Sequence, residues 1–417
     1  MSIHVIGIVG LVVVFITGTL RPINLGALAL VTTYVVGTLF VGESLPEMYS
    51  GFPVDLLVLL AGVTYLFGVA VNNGTVEWIV DRATHLFKGR RAMIPWIVFV
   101  VSSLPAMAGA LGSAGVAMLA PLSLRLAKRY DIDRRMIGLM VVHGAAAGNF
   151  SPLNVLGAIV LQAVTSSGLE MSTAALFFGN LAYNCVLAVI IYVAFGGLGL
   201  GAARPARDGA PEHDSQVIDR LRTDQLCTLA ALVGVATAAL GFDLSIGFLA
   251  LAAAVTLQLL FPTTSGDADR RIAWGVVLLV CGIVTYVAAL QRWGTVQAVG
   301  DAIASLGAPL LIALLICVVG AVTSAFASSA GILGAMIPLA VPFMVRGDVA
   351  TTGMVVALAV SATVVDSTPF STVGALVVAN AEDNERAAVY RGLLVWGGAM
   401  VLTAPVVTWL LFIVIAG

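Results

Sequence analysis

Apolar stretches long enough to cross a bilayer recur along almost the whole chain. Each holds about 17 to 25 residues, the length at which a helix spans the hydrocarbon core, and the series runs from Val5 to Gly417. The first stretch, Ile3–Leu20, has no basic region before it and no evident small-residue cleavage site. We therefore interpret it as a membrane helix rather than a signal peptide.

The hydropathy pattern predicts an all-α polytopic membrane protein with about ten transmembrane helices and two re-entrant helical hairpins. In the first half, the predicted helices cover about residues 3–20, 24–42, 55–73, 136–165 and 173–199, with a hairpin at about 92–124. In the second half, they cover about residues 225–241, 244–262, 273–290, 352–380 and 391–416, with a hairpin at about 308–344.

The two halves resemble each other. A hydrophilic segment rich in Pro, Gly and charged residues, 203–223, divides the chain, so we assign 1–200 to a first repeat, 201–223 to a cytoplasmic linker and 224–417 to a second repeat. GSAGVAMLAPL in the first half pairs with SSAGILGAMIPL, and NFSPLNVLGA pairs with DSTPFSTVGA, at nearly the same separation. Repeated landmarks in the same order indicate a duplicated transporter fold.

Basic residues predict the orientation of the repeats. They flank the segment 92–124 on both sides, so both of its ends are expected in the cytoplasm: Arg82, Lys88, Arg90 and Arg91 before it, and Arg125, Lys128, Arg129, Arg134 and Arg135 after it. A segment of about 33 residues with both ends on one side is a re-entrant hairpin rather than one crossing. Its tip is predicted at 108–115, and the second tip at 324–331 enters from the opposite face. The repeats are then inverted, and both termini lie outside.

The composition excludes an ordinary soluble protein. Hydrophobic residues make up 60% of the chain and charged residues 10%, whereas about a quarter of the residues of a soluble domain are charged. Nucleic acid is not an expected partner, but membrane lipid is. All four cysteines lie in apolar segments without the close pairing of a metal site or redox motif, and are interpreted as packing residues: Cys185, Cys227, Cys281 and Cys317.

Two proline-containing polar segments interrupt predicted helices, at 148–154 and 365–372. Irregular backbone survives in a bilayer only where protein or a water-filled cavity satisfies it, so such breaks indicate binding sites. Hydroxyl, amide and carboxylate oxygens near each hairpin tip suit Na⁺, the candidate metal ion. The predicted cation-binding residues are Ser113, Asn149 and Ser151 in the first half and Ser329, Asp366 and Thr368 in the second.

Helix N-termini and neutral donors predict an anion site at the same place. Its candidate residues are Ser113, Gly115, Asn154, Ser329, Gly331, Ser371 and Thr372. Asp366 is the clearest intramembrane acid and the predicted coupling residue, because a carboxylate at the bilayer centre is costly without a cation or proton. The first half has neutral Asn149 at the equivalent position.

Structural explanations compete with these assignments. An isolated Ser-Ala-Gly is typical of ordinary helix packing in membranes, and only its duplication favours function. His143 can relay protons, but a histidine hydrogen-bonded inside a helix bundle explains it as well. We therefore do not include His143 in the predicted site.

At the paired Ser-Ala-Gly tips and proline breaks, the sequence resembles the ion transporter superfamily, in particular divalent anion/sodium symporters and MatC-type dicarboxylate carriers. The symporters carry Ser-Asn-Thr at each tip, whereas here Ala114 and Gly115, and then Ala330 and Gly331, follow the serine. The MatC-type carriers therefore fit better. The resemblance implies an elevator motion against a scaffold that often forms a homodimer.

The leading hypothesis is a secondary active transporter of the bacterial cytoplasmic membrane that moves a small dicarboxylate, of malonate or C4 size, by symport with Na⁺ or H⁺.

 The alternative is a cation/proton antiporter of the same superfamily with no organic substrate. We do not expect an enzyme, because the sequence contains no nucleophile and base pair, metal-ligand cluster or nucleotide loop. No cofactor is expected beyond the coupling ion.

Overall fold

A computed structural model describes residues 2–416 apart from 22, 77, 80–81, 83–90, 202–220, 243, 299–307 and 326–328. Most of the predicted linker 201–223 and part of the second predicted tip, 324–331, therefore lie outside the described residues. Within the described part of the chain, the elements are helices and turns, without strands.

The helices of the first half are α1 (Ile3–Leu20), α2 (Leu25–Val36), α3 (Val54–Asn72), α4 (Ile94–Met107), α5 (Gly112–Arg129), α6 (Arg134–Gly148), α7 (Val155–Thr165) and α8 (Thr173–Ala194). Those of the second half are α9 (Thr223–Phe242), α10 (Ile246–Leu260), α11 (Trp274–Arg292), α12 (Pro309–Ser324), α13 (Ser329–Val345), α14 (Thr351–Val364), α15 (Thr372–Ala379) and α16 (Asp383–Trp409). Short helices also lie at Leu45–Ser50 and Pro262–Ser265.

Five stretches of the described chain, each made of one helix or of consecutive helices, are long and apolar enough to cross a membrane. They are Val54–Asn72, Thr173–Ala194, Pro262–Arg292, Thr351–Ala379 and Asp383–Ile415. Several shorter apolar helices accompany them, among them α4, α12 and α13, which lie in the two predicted hairpins. A chain with so many apolar helices buries its backbone polar groups in helical hydrogen bonds, which a bilayer requires.

The helices form two groups. We call α1–α3 with α9–α11 the scaffold group, and α4–α8 with α12–α16 the hairpin group. In both groups, helices of one half pack against helices of the other half. In the scaffold group, α2 packs on α11 and α3 packs on α10; in the hairpin group, α5 packs on α15 and α7 packs on α13. The groups meet where α13 lies on α11 and where α7 lies on α3.

Two glycine crossings hold the scaffold group together. A Cβ added to Gly26 would lie 1.9 Å from the carbonyl oxygen of Leu278, and one added to Gly282 would lie 2.0 Å from that of Gly26. In the other crossing, a Cβ on Gly62 would lie 2.3 Å from the carbonyl oxygen of Gly247. The helix backbones therefore touch directly, as small residues allow in membranes.

The central helices of the hairpin group, α6 and α14, are buried on all sides. Every residue from Met136 to Gly148 and from Met354 to Val364 is buried. A helix that is apolar all round belongs in the centre of a bundle rather than at its surface. Both helices end at the polar breaks, so the breaks lie inside the protein.

Charged residues gather at one end of the hairpin group. Lys128 Nζ lies 2.8 Å from Glu382 Oε1, and Arg134 Nε lies 2.7 Å from Glu385 Oε2. These ion pairs connect the end of α5 and the start of α6 to the start of α16. They lie on the face that the sequence predicts to be cytoplasmic.

Asp133 caps α6 at this charged end. Its carboxylate accepts hydrogen bonds from the Arg135 backbone amide (2.8 Å) and from the Arg135 guanidinium (2.6 Å). Burial raises the pKa of Asp133, but these bonds together outweigh burial, and the pKa falls below its ordinary value of 3.8. The ionised carboxylate therefore stabilises the N-terminus of α6.

Candidate functional site

Two breaks interrupt the central helices. Between α6 and α7, the chain unwinds over Asn149 to Asn154, and Phe150 adopts a left-handed backbone with φ of 64°. A left-handed conformation in a bulky residue costs on the order of 1–3 kcal/mol, and such strain concentrates at functional sites. Between α14 and α15, a 3₁₀ turn at Val365–Ser367 precedes the gap.

A hydroxyl group ties each break to the hairpin of its own half. Ser151 Oγ donates to the carbonyl oxygen of Met107 (2.8 Å), and Thr368 Oγ1 donates to that of Ala325 (3.0 Å). Both residues are predicted cation ligands. A hydroxyl that donates its proton still has lone pairs on its oxygen that can bind a cation. These two hydrogen bonds therefore do not test the prediction.

The predicted substrate residues Asn154 and Ser371 cap the helices that follow the breaks. Asn154 Oδ1 accepts from the Leu156 amide (2.8 Å), and its Nδ2 donates to the carbonyl oxygen of Ala106 (2.8 Å). Ser371 Oγ accepts from the Gly374 amide (3.0 Å) and also donates to nearby carbonyls. Their polar atoms are engaged by the backbone, and neither residue lines the cavity described below.

A carboxylate joins the second hairpin to the second break. Ser329, at the start of α13, donates from Oγ to Asp366 Oδ2 over 2.7 Å. Ser324 Oγ lies 2.9 Å from Ser329 Oγ, which extends the contact to the end of α12. A hydrogen bond to a charged acceptor is about twice as strong as a neutral one, so the ionised form of Asp366 has one firm partner.

Asn149 occupies the position in the first break that Asp366 occupies in the second. Its side chain is buried, with 4% exposure, and its Oδ1 has no hydrogen-bond partner among the described residues. The oxygen faces the start of α5, where a Cβ on Gly112 would lie 4.0 Å away. An unsatisfied buried acceptor costs on the order of 1–3 kcal/mol, and a bound cation or ligand group removes that cost.

The hairpins and breaks enclose a cavity of about 280 Å³. Its polar lining is Ser113, Asn149, Thr363, Ser329, Asp366 and Thr372. No Lys, Arg or His is among the lining residues that the structure describes. Gly115 and Gly331, both predicted substrate residues, do not line it, and a Cβ on Gly331 would instead meet Ile283 Cδ1 of the scaffold at 3.1 Å.

Helix termini converge on this cavity. First-turn residues of α5, α7, α13 and α15 line it, as do residues near the C-terminal ends of α6 and α14. Helix N-termini favour anions, and C-terminal carbonyls favour cations. The site therefore combines four anion-attracting helix ends with one carboxylate and with carbonyl-rich ends.

Three buried polar residues behind the first break were not predicted as site residues. Asn180 and Asn184 lie one turn apart on α8, fully buried, and Asn184 Oδ1 lies 3.0 Å from His143 Nδ1. A pair of amides at i and i+4 in an apolar helix is the sequence signal that reveals them, because polar groups in a membrane helix need partners.

Family models match two parts of the chain. Residues 1–149 match the family described as dicarboxylate carrier protein MatC N-terminus, and residues 243–417 match the family described as citrate transporter. The chain is a carrier. These matches confirm the resemblance to MatC-type carriers, and both matched families are transporters rather than enzymes.

A solved structure shows the fold. The YdaH transporter of Alcanivorax borkumensis is 14% identical to this carrier, with a TM-score of 0.59 over 92% of this chain and 96% of that chain. No curated protein matches the carrier's sequence. The predicted all-α polytopic fold and the membrane location are confirmed. The helix number, inverted topology, elevator motion and orientation of the termini stay predictions.

Proposed function

We propose that this carrier is a secondary active transporter that moves a small dicarboxylate, of malonate or C4 size, together with Na⁺ or H⁺. The observation that carries the proposal is the cavity where four helix N-termini and the Asp366 carboxylate meet. The matches to dicarboxylate and citrate carrier families support the substrate class. The bacterial cytoplasmic membrane is the proposed location, and a homodimer the proposed assembly.

The substrate part of the site uses neutral donors. Ser113 and Thr372 line the cavity from the first turns of α5 and α15, where backbone N–H groups lack partners within the helix. Hydroxyls and helix N-termini can bind two carboxylate groups without an arginine. A cavity of about 280 Å³ suits a molecule of a few carbon atoms better than a large ligand.

The cation part of the site uses oxygen ligands. Asp366 and Ser329 form it in the second half, and Asn149 and Ser113 in the first. The described residues contain no group of three or more His, Cys, Asp or Glu placed to hold a metal ion. Carboxylate, amide and hydroxyl oxygens suit a hard cation such as Na⁺ rather than a thiolate- or imidazole-bound metal.

Unequal packing of the two halves supports movement of the hairpin group. α13 packs on α11, and the Gly331 position meets Ile283. At the equivalent position in the first half, a Cβ on Gly115 would meet only Pro105 of its own hairpin, at 3.5 Å. We infer that sliding the hairpin group along the scaffold brings Gly115 against Val63 and exposes the cavity to the opposite side.

Thermal stabilisation of the purified protein tests the proposed substrate and ion. A ligand that binds the folded state raises its stability by RT ln(1 + [L]/Kd). We expect a dicarboxylate to raise the Tm in Na⁺ or at acidic pH more than in K⁺ at neutral pH, and monocarboxylates of equal length to have little effect. Stabilisation by cations alone, with no response to any carboxylate, would instead support the cation/proton antiporter.

Cysteine cross-linking tests the movement. In a background without the four native cysteines, we expect Ile283→Cys with Gly331→Cys, and separately Val63→Cys with Gly115→Cys, to cross-link in membranes. Each cross-link should stop transport, because each locks one arrangement. If the Val63→Cys and Gly115→Cys pair never cross-links, although the uncross-linked protein transports substrate, the proposed sliding motion is wrong.

A further inference from the structure

A chain of four buried or half-buried polar side chains leads to the back of the first break. We call Trp396, His143, Asn184 and Asn180 the polar chain. Trp396 Nε1 on α16 donates to His143 Nε2 on α6 (2.9 Å), and His143 Nδ1 lies 3.0 Å from Asn184 Oδ1 on α8. Asn184 Nδ2 donates to Asn180 Oδ1 over 3.0 Å. Three helices of the hairpin group are thereby connected.

The donor direction along the polar chain is fixed at one end. An indole N–H can only donate, so His143 Nε2 must accept and the His143 proton must lie on Nδ1. That proton is donated to Asn184 Oδ1, which leaves the Asn184 amide nitrogen to donate to Asn180 Oδ1. Asn180 can therefore direct only its N–H groups toward the break. Each member has one assignment of donor and acceptor.

The polar chain ends on the carbonyl groups where α6 unwinds. Asn180 Nδ2 donates to the carbonyl oxygen of Ala146 (2.8 Å) and to that of Asn149 (3.3 Å). The Asn149 carbonyl is thus turned toward α8, while the Asn149 side chain, whose oxygen has no hydrogen-bond partner among the described residues, belongs to the lining of the cavity. Holding these two carbonyl groups fixes the backbone where α6 ends, and the backbone fixes the direction in which the Cα–Cβ bond of Asn149 leaves the chain.

The second break is held in a different way. On α16, a Cβ on Gly397 would lie 2.5 Å from Thr368 Cγ2 and 2.7 Å from Thr368 Cα. The backbone of α16 therefore packs directly on the second break, where α8 uses the Asn180 amide on the first. The second break has its own charged group in Asp366, whereas the first depends on the direction of a neutral amide.

We propose that the polar chain positions Asn149 as a cation ligand, so that Asn180, Asn184, His143 and Trp396 are positioning residues for the coupling ion. This inference rests on the proposed coupled transport. None of the four residues lines the cavity, so they act through the orientation of the first break. Breaking the polar chain should lower the affinity for the cation. It should leave unchanged the affinity for the dicarboxylate, which binds at the helix N-termini.

Cation titrations of matched variants test the inference. We expect Trp396→Phe and His143→Leu to raise the half-saturating cation concentration for dicarboxylate uptake in proteoliposomes about tenfold, the effect of losing roughly one hydrogen bond. The maximal rate at saturating cation should stay within about twofold of wild type. His143→Gln keeps one acceptor and one donor and should restore the wild-type value.

Trp409→Phe is the matched control. Trp409 lies on the same helical stretch and donates from Nε1 to the carbonyl oxygen of Leu310 (2.8 Å), away from the first break, so its loss should not change the cation dependence. An unchanged cation dependence in a folded His143→Leu or Trp396→Phe protein would overturn the inference. So would equal loss of cation and dicarboxylate affinity. A wild-type protein whose uptake needs no cation would instead overturn the proposed coupling.

Discussion

Replacing Asp366 with asparagine removes a charge and leaves the shape of the site unchanged. Ser329 Oγ, 2.7 Å from Oδ2 in the wild type, can also donate to an amide oxygen, although this neutral bond is weaker, so the link between the second hairpin and the second break is kept. Two opposite unit charges about 4 Å apart attract by roughly 4 kcal/mol at an effective dielectric constant near 20. Because about 1.4 kcal/mol corresponds to a tenfold change in Kd, Asp366→Asn should weaken binding of the coupling cation by about a thousandfold.

The assay has two parts. In detergent, the cation concentration that half-maximally raises the Tm should move beyond the accessible range. In proteoliposomes, accumulation driven by an ion gradient should be lost, while exchange of internal for external dicarboxylate without a gradient persists. Asp348→Asn, an exposed carboxylate at the end of the second hairpin, is the control. A folded Asp366→Asn protein whose cation midpoint stays within tenfold of wild type would remove Asp366 from the coupling mechanism.

Three further changes have defined outcomes. Ser329→Ala removes the hydroxyl that donates to Asp366 and should weaken binding of the cation about tenfold. Ser361→Ala removes a hydroxyl that donates to a carbonyl within α14 and should leave cation binding unchanged. Cation-dependent shifts in Tm measure both effects. Gly62→Ala would place a Cβ 2.3 Å from the carbonyl oxygen of Gly247, so it should force the two helices apart and cost about 1–3 kcal/mol of stability. Gly234→Ala, whose Cβ would have nothing within 4 Å, should not lower the Tm, because alanine is the better helix former. The lowered pKa of Asp133 gives stability that is present above its ordinary value of 3.8 and lost as pH falls through the lower folded value. Asp133→Asn should therefore flatten the fall in Tm below about pH 4.

Hydropathy predicts the helices well because a bilayer leaves few alternatives. The predicted helix at 55–73 corresponds to Val54–Asn72, and the first predicted tip at 108–115 contains the turn between α4 and α5. Polar segments with proline also mark where both central helices unwind. These features are local, so a single stretch of sequence determines each of them.

The choice among neighbouring polar residues is not local. Asn154 and Asn149 are five positions apart in the same break, yet one caps α7 and the other lines the cavity. Which of them faces the ligand depends on the hairpin that packs against the break. The polar chain is a stronger case, because Trp396 and His143 come from opposite halves and meet only after folding.

The glycine crossings of the scaffold also bear on how the carrier is made. α2 and α3 emerge from the ribosome early, but their crossing partners, α11 and α10, lie in the other half. Until those helices insert, the glycine faces of α2 and α3 can be covered only by lipid or by the insertion machinery. Assembly of the scaffold therefore waits until translation has passed Arg292, the last residue of α11, and the first half has no complete scaffold of its own.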